Sequence, residues 1–134
     1  MMRHMPIVLV CALVLLVGGC QSSQRLSNRG ERPASINHIV FMTLEDESLI
    51  PDLINACDAE LGTIPSVVSY FAGTHYDIGR DSILQDYDVG LYLGFASEEG
   101  LRRYVEHERH VAFVARWRPR LTSLRVYDVG DPTP

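Results

Sequence analysis

The sequence has 134 residues and a formal net charge of −5. That is enough chain for one domain with a single core, and the charge excludes the basic footprint of a nucleic-acid-binding protein. All twelve basic residues are arginine, so Schiff-base chemistry on lysine is excluded as well.

The chain opens on "MMRHMPIVLVCALVLLVGGC". Arg3 supplies a short positive start, and an apolar run follows from Ile7 to Val17. As a helix this run would rise only about 16 Å, short of the roughly 30 Å of a bilayer core. The layout is that of a secretory signal peptide, and its end, Gly18-Gly19-Cys20, resembles a bacterial lipobox, in which the cysteine is acylated and becomes the first mature residue. Residues 1–19 therefore read as a lipoprotein signal peptide. Cys20 is the expected lipidation site and the chain's link to a membrane. Residues 20–35 are polar and rich in Ser, Arg, Gly and Pro, the composition of a flexible tether. The expected location is the cell envelope; with Gln21 rather than Asp after the cysteine, a two-membrane bacterium is expected to sort the protein to the periplasmic side of its outer membrane.

Cys11 leaves with the signal and Cys20 is acylated, so Cys57 stands alone and reads as a small buried hydrophobe. The folded domain is expected over 36–130. "INHIVFMTL" alternates His38, Val40, Met42 and Leu44 against Ile39, Phe41 and Thr43, a strand apolar on both faces. A helix follows, with Ser48 as cap, Pro51 in the first turn, and Ile50, Ile54, Cys57 and Leu61 on one face. Gly62 can stop it. "VVSYFAG" (67–73) reads as a second strand and 79–86 as a loop. "YDVGLYLGFA" (87–96) reads as a third strand with Tyr87, Val89, Leu91, Leu93 and Phe95 on one face. Ser97 caps a second helix with acids in its first turn. That helix is expected to continue through "HVAFVARW" until Pro119 breaks it. "LTSLRVYDV" closes the domain as a strand.

The order β-α-β-β-α-β is the ferredoxin-like split arrangement of an α+β fold, with both helices on one face of a four-stranded antiparallel sheet. The other face is left bare and apolar. A face of that kind is expected to meet a second copy of the chain.

From Ile36 to Asp128 the domain resembles the stress-responsive dimeric α/β-barrel (Dabb) family. "NHIVFMTL" is similar to the family's opening strand with its histidine, here His38. "IPSV" (64–67) is similar to its Ile-Pro-Gly-Val turn, with Ser66 in place of Gly. "YDVGLYLGFASEEGLRRY" is similar to its third strand and following helix. "YVEHERHVAF" is similar to its Tyr-x-x-His-x-x-His-Val-x-Phe segment, with Glu108 where a proline often stands. The resemblance implies a dimeric α/β barrel and a homodimer.

Tyr104, His107 and His110 recur every three residues. "HERH" is one residue short of the His-Glu-x-x-His spacing of zinc proteases, so no metal and no cofactor are expected. The same residues also read as helix-end hydrogen-bonding groups. Plant polyketide cyclases of the resembled family use a Tyr and a His of this segment as an acid/base pair. The matching positions are Tyr104 and His110, while His38 and His107 match pocket histidines. Val89 stands where those cyclases carry a further pocket histidine. The reading that follows is an exported, lipid-anchored dimer that binds a small apolar molecule in a pocket lined by His38, Tyr104, His107 and His110. The alternative is a small cyclase- or monooxygenase-like enzyme with Tyr104 and His110 as catalytic acid/base groups. His110 shares a helical side with Phe113, Val114 and Trp117, so burial is expected to favour its neutral form.

Cys20→Ser is expected to leave unprocessed precursor and to abolish acyl labelling. A mature N-terminus at any residue other than Cys20 would overturn the lipoprotein assignment.

Overall fold

The computed structural model describes residues 30–133. The expected signal segment, Cys20 and most of the tether lie outside the described residues. Four strands form one antiparallel sheet: β1 (Ile36–Leu44), β2 (Ser69–Gly73), β3 (Val89–Phe95) and β4 (Leu121–Gly130), in the order β2-β3-β1-β4. The helices are α1 (Ile50–Ala56), α2 (Glu98–Glu106) and α3 (Glu108–Trp117). This is the ferredoxin-like α+β fold, with the second helical connection in two pieces.

Strand alternation decides which side chains meet the helices. Val40, Met42 and Leu44 of β1 and Val89, Leu91, Leu93 and Phe95 of β3 are all buried. Leu53, Cys57 and Leu61 from the first helical segment, and Tyr104, Phe113 and Trp117 from α2 and α3, complete that core. Tyr87 departs from the expected pattern. The strand begins only at Val89, and the Tyr87 ring packs on Phe41 with centroids 4.7 Å apart, on the opposite face.

Three other boundaries differ from expectation. Asp46, rather than Ser48, caps the first helical turn: its carboxylate accepts from the Ser48 amide at 2.9 Å. After Pro51 opens α1, the chain widens into a π-helical turn over Cys57–Leu61 and stops at Gly62. The helix expected to run from Ser97 to Pro119 is broken at His107, whose backbone is extended (φ −65°, ψ 136°). The reason is local. His107 serves as the N-cap of α3, its Nδ1 accepting from the Arg109 amide at 3.2 Å, which supplies a partner for one of the free N–H groups of a helix start.

The outer sheet face carries Ile39, Phe41, Phe71, Tyr92 and Tyr127 by the same alternation and register. Phe71 is 63% exposed and Tyr127 49%, so among the described residues no helix covers this face. At one end of it the chain before β1 is fixed in place. Arg32 pairs with Asp131, the Asp131 amide donates to the Ser35 carbonyl at 2.7 Å, and Ser69 Oγ donates to the Pro33 carbonyl at 3.3 Å. Gly94 makes the room: a Cβ there would lie 2.0 Å from Ser69 Oγ and 2.6 Å from the Ala34 Cβ. The last residues of the expected tether are thus docked on the domain. Among the described residues no helix is long and apolar enough to cross a membrane.

Leu53 is fully buried beneath the sheet-facing side of α1. Leu53→Ala is expected to destabilise the fold by about 2–5 kcal/mol through lost transfer energy and a cavity. A lowered urea midpoint at unchanged slope would register this; a shift worth under about 1 kcal/mol would contradict the packing described.

Candidate functional site

Four elements converge on one cavity of about 370 Å³. From β1 comes His38, from α2 Tyr104 and Val105, from α3 His110, Phe113 and Val114, and from β4 Leu124, Val126 and Asp128. Leu61, Val40 and Leu91 complete the apolar wall. Val105, Val114 and Val126 are partly exposed and stand at the opening between the helices and β4.

The polar groups lie together at one end. The ring centroids of Tyr104 and His110 are 4.7 Å apart, and those of Tyr104 and His38 are 5.8 Å apart. Tyr104 is 1% exposed and packs against Phe95. Burial raises its phenol pKa, with the nearby Cys57 adding in the same direction. Among the described residues the Tyr104 hydroxyl has no hydrogen-bond partner.

His110 reaches back to the preceding helix, where its Nδ1 lies 2.9 Å from the Val105 carbonyl oxygen. A carbonyl can only accept, so Nδ1 carries the hydrogen. Burial lowers the His110 pKa, the bond to Val105 opposes that shift, and His38 adds to it. His110 is therefore a neutral imidazole near pH 7, with Nε2 as its free acceptor.

His38 is 8% exposed and sits directly opposite Asp128 in the β1–β4 register. Its Nδ1 lies 2.6 Å from Asp128 Oδ1. Asp128 is the site residue that motif reading passes over. A signal was present in period two: Leu124, Val126 and Asp128 alternate onto the face that meets the helices, and a carboxylate there breaks the apolar pattern. Of the four expected pocket residues, His38, Tyr104 and His110 line the cavity. His107 does not. It is spent on capping α3, which corrects the expected pocket.

Cys57 is fully buried, and burial pushes its thiol pKa up to about 12, with Asp58 and Glu60 contributing; it is no nucleophile at neutral pH. Among the described residues no group of three His, Cys, Asp or Glu side chains is placed to hold a metal ion.

Residues 36–131 match the family model described as the stress responsive A/B barrel domain (Dabb). No curated protein matches the chain significantly. Solved structures do. A Dabb family protein with a ferredoxin-like fold from Mesorhizobium loti is 26% identical, with a TM-score of 0.61, over 73% of this chain and 97% of its own. A dimeric ferredoxin-like protein of unknown function from Thermobifida fusca is 24% identical, with a TM-score of 0.60, over 72% of this chain and 90% of its own. A hydroxynitrile lyase from Passiflora edulis shares the fold at 15% identity, with a TM-score of 0.64, over 77% of this chain and 99% of its own. Proteins that consist of little beyond this domain therefore fold, and here Glu31–Pro134 forms a compact unit by itself. The fragment 31–134 is accordingly expected to fold by itself.

A His110 pKa lowered by burial sets the sign of a pH dependence. The folded state binds fewer protons at this ring than the unfolded chain does. Its contribution to stability is full above the unfolded value of about 6.5 and falls as the pH drops from there through the folded pKa. An NMR titration of His110 is expected to give a midpoint below about 6.5, and a midpoint above that value would show that the ring is not desolvated as described.

Proposed function

The chain belongs to the Dabb family, the stress responsive A/B barrel domain, and on that premise we propose that it is an exported, lipid-anchored homodimer that binds a small, largely apolar molecule in one cavity per protomer. The observation that carries the binding reading is the cavity itself. At about 370 Å³ it has the size of a small-molecule site, with an apolar wall and polar groups gathered at one end. The homodimer is supported by the uncovered face of Ile39, Phe41, Phe71, Tyr92 and Tyr127, and by the dimeric description of the Thermobifida fusca relative. Burying such a face contributes about 25 cal/mol per Å² before the cost of association. Export and anchoring are supported by the apolar run ending in Gly18-Gly19-Cys20.

A second reading, acid/base catalysis, is favoured by one specific feature. A neutral imidazole stands beside a phenol with a free hydroxyl, the pair needed to take a proton next to a carbonyl and to stabilise the resulting oxyanion. A hydroxynitrile lyase is among the proteins of this fold.

The fragment 31–134 is expected to run as a dimer in light scattering, and a monomer at every concentration would overturn the dimer. His110→Ala separates the two site readings. If the site binds, ligand affinity falls by roughly 1–2 kcal/mol with the dimer intact. If it catalyses, turnover falls about a hundredfold or more with binding largely kept.

A further inference from the structure

If the cavity binds a small apolar molecule, as proposed above, its polar end decides which class of head group it accepts. Three facts fix the hydrogen-bonding character of the polar end. First, the His110 Nδ1–H is committed to the Val105 carbonyl, so the neutral ring offers a ligand only the lone pair on Nε2. Second, the His38 Nδ1–H is committed to the Asp128 carboxylate, so only Nε2 of that ring can face a ligand. Third, the remaining groups are the Asp128 carboxylate, an acceptor, and the Tyr104 hydroxyl, which both donates and accepts. Neither arginine nor lysine is among the residues that line the cavity.

The balance of this end is therefore lopsided. The His110 ring nitrogen and a carboxylate accept, while the Tyr104 hydroxyl donates. A ligand carboxylate brings acceptors and no donor. It would find a single donor in Tyr104, no cation, and the negative charge of Asp128 nearby, and would enter an apolar enclosure with its own charge largely unpaired. An ether or a ketone can use the Tyr104 hydroxyl but leaves His110 Nε2 without a partner. A hydroxyl group is complementary: its O–H donates to a ring nitrogen while its oxygen accepts from Tyr104. The rest of the cavity is formed by Val40, Leu61, Leu91, Phe113, Leu124 and neighbouring valines, which an alkyl or aromatic body would fill.

We propose that the cavity selects uncharged, hydroxyl-bearing molecules with an apolar body, and discriminates against both carboxylates and hydroxyl-free analogues of the same size. Selection arises because His110 is fixed as an acceptor by a partner outside the ligand, the Val105 carbonyl, and because the Asp128 carboxylate stands beside it in the cavity.

The test uses the fragment 31–134 at about pH 7.5, where a His110 pKa lowered from its ordinary value of about 6.5 leaves the ring neutral. Three probes of matched length are titrated and followed by chemical-shift changes: octanol, heptyl methyl ether and octanoate. Octanol is expected to bind about five- to tenfold more tightly than the ether, the worth of one hydrogen bond to a neutral acceptor. It is expected to exceed octanoate by about tenfold or more. The ether is the sharper control, because a merely apolar cavity would prefer it to the alcohol. Asp128→Asn removes the fixed anion and is expected to narrow the gap between octanol and octanoate. Saturable binding in which the ether equals or exceeds the alcohol, or octanoate equals octanol, overturns the selectivity and leaves the binding reading standing. No saturable binding of any probe overturns the binding reading, and the selectivity with it.

Discussion

The site depends on the break at His107. In an unbroken helix, six residues turn through about 600°, which would set His110 roughly 120° around the axis from Tyr104. The two rings would then face different surroundings. The extended backbone of His107 ends one helix and begins another, and the new direction carries His110 back until its ring lies 4.7 Å from that of Tyr104 and its Nδ1 meets the Val105 carbonyl. That carbonyl lies in the last turn of α2, where acceptors lack intrahelical donors. One hydrogen bond thus closes the helix end, fixes the imidazole tautomer and roofs the cavity. His107 makes the break stable by capping α3 with its own side chain.

The other half of the site depends on strand register. His38 and Asp128 are ninety positions apart in sequence and directly opposite in the β1–β4 pairing. A slip of one residue would turn Asp128 to the outer face and Val126 with it. The register is held by the same alternation that buries Val40, Met42 and Leu44. Packing of the core and orientation of the His38 ring are therefore one constraint. The outer face follows from it as well, since every side chain not turned toward the helices is turned toward Ile39, Phe41 and Tyr127.

The fold was legible because its signals are local. Period-two apolar runs in "INHIVFMTL" and "YDVGLYLGFA", the Ser97 cap and Pro119 each act within a few residues, and together they gave the order of elements. What the sequence hid was decided by competition or by distance. His107 has good helical neighbours, and the break is favoured by bonds formed across it, the His107 cap on α3 and the His110 bond to Val105. Tyr87 has the right period for β3, but its ring finds Phe41 on the other face once the strand starts at Val89. His38, Tyr104 and His110 were visible as chemistry-bearing residues, and their convergence on one cavity required the tertiary structure. Asp128 was visible only as a break in an apolar alternation, since nothing in sequence ties it to His38.

Stability alone does not account for the polar end of the cavity. A phenylalanine at position 104 would keep the ring contacts with Phe95 and His110 and would omit a hydroxyl that has no partner among the described residues. Facing the cavity, that hydroxyl adds no bond to the fold. His110 is neutral near pH 7, so its burial weighs on the charged form only, at lower pH. Asp128 and Val105 hold the two imidazoles in fixed orientations; the Val105 bond closes the end of α2 as well, and in each ring it is Nε2 that is left free. A ligand's hydroxyl, or a reacting proton, would supply the partner that the Tyr104 hydroxyl and His110 Nε2 lack.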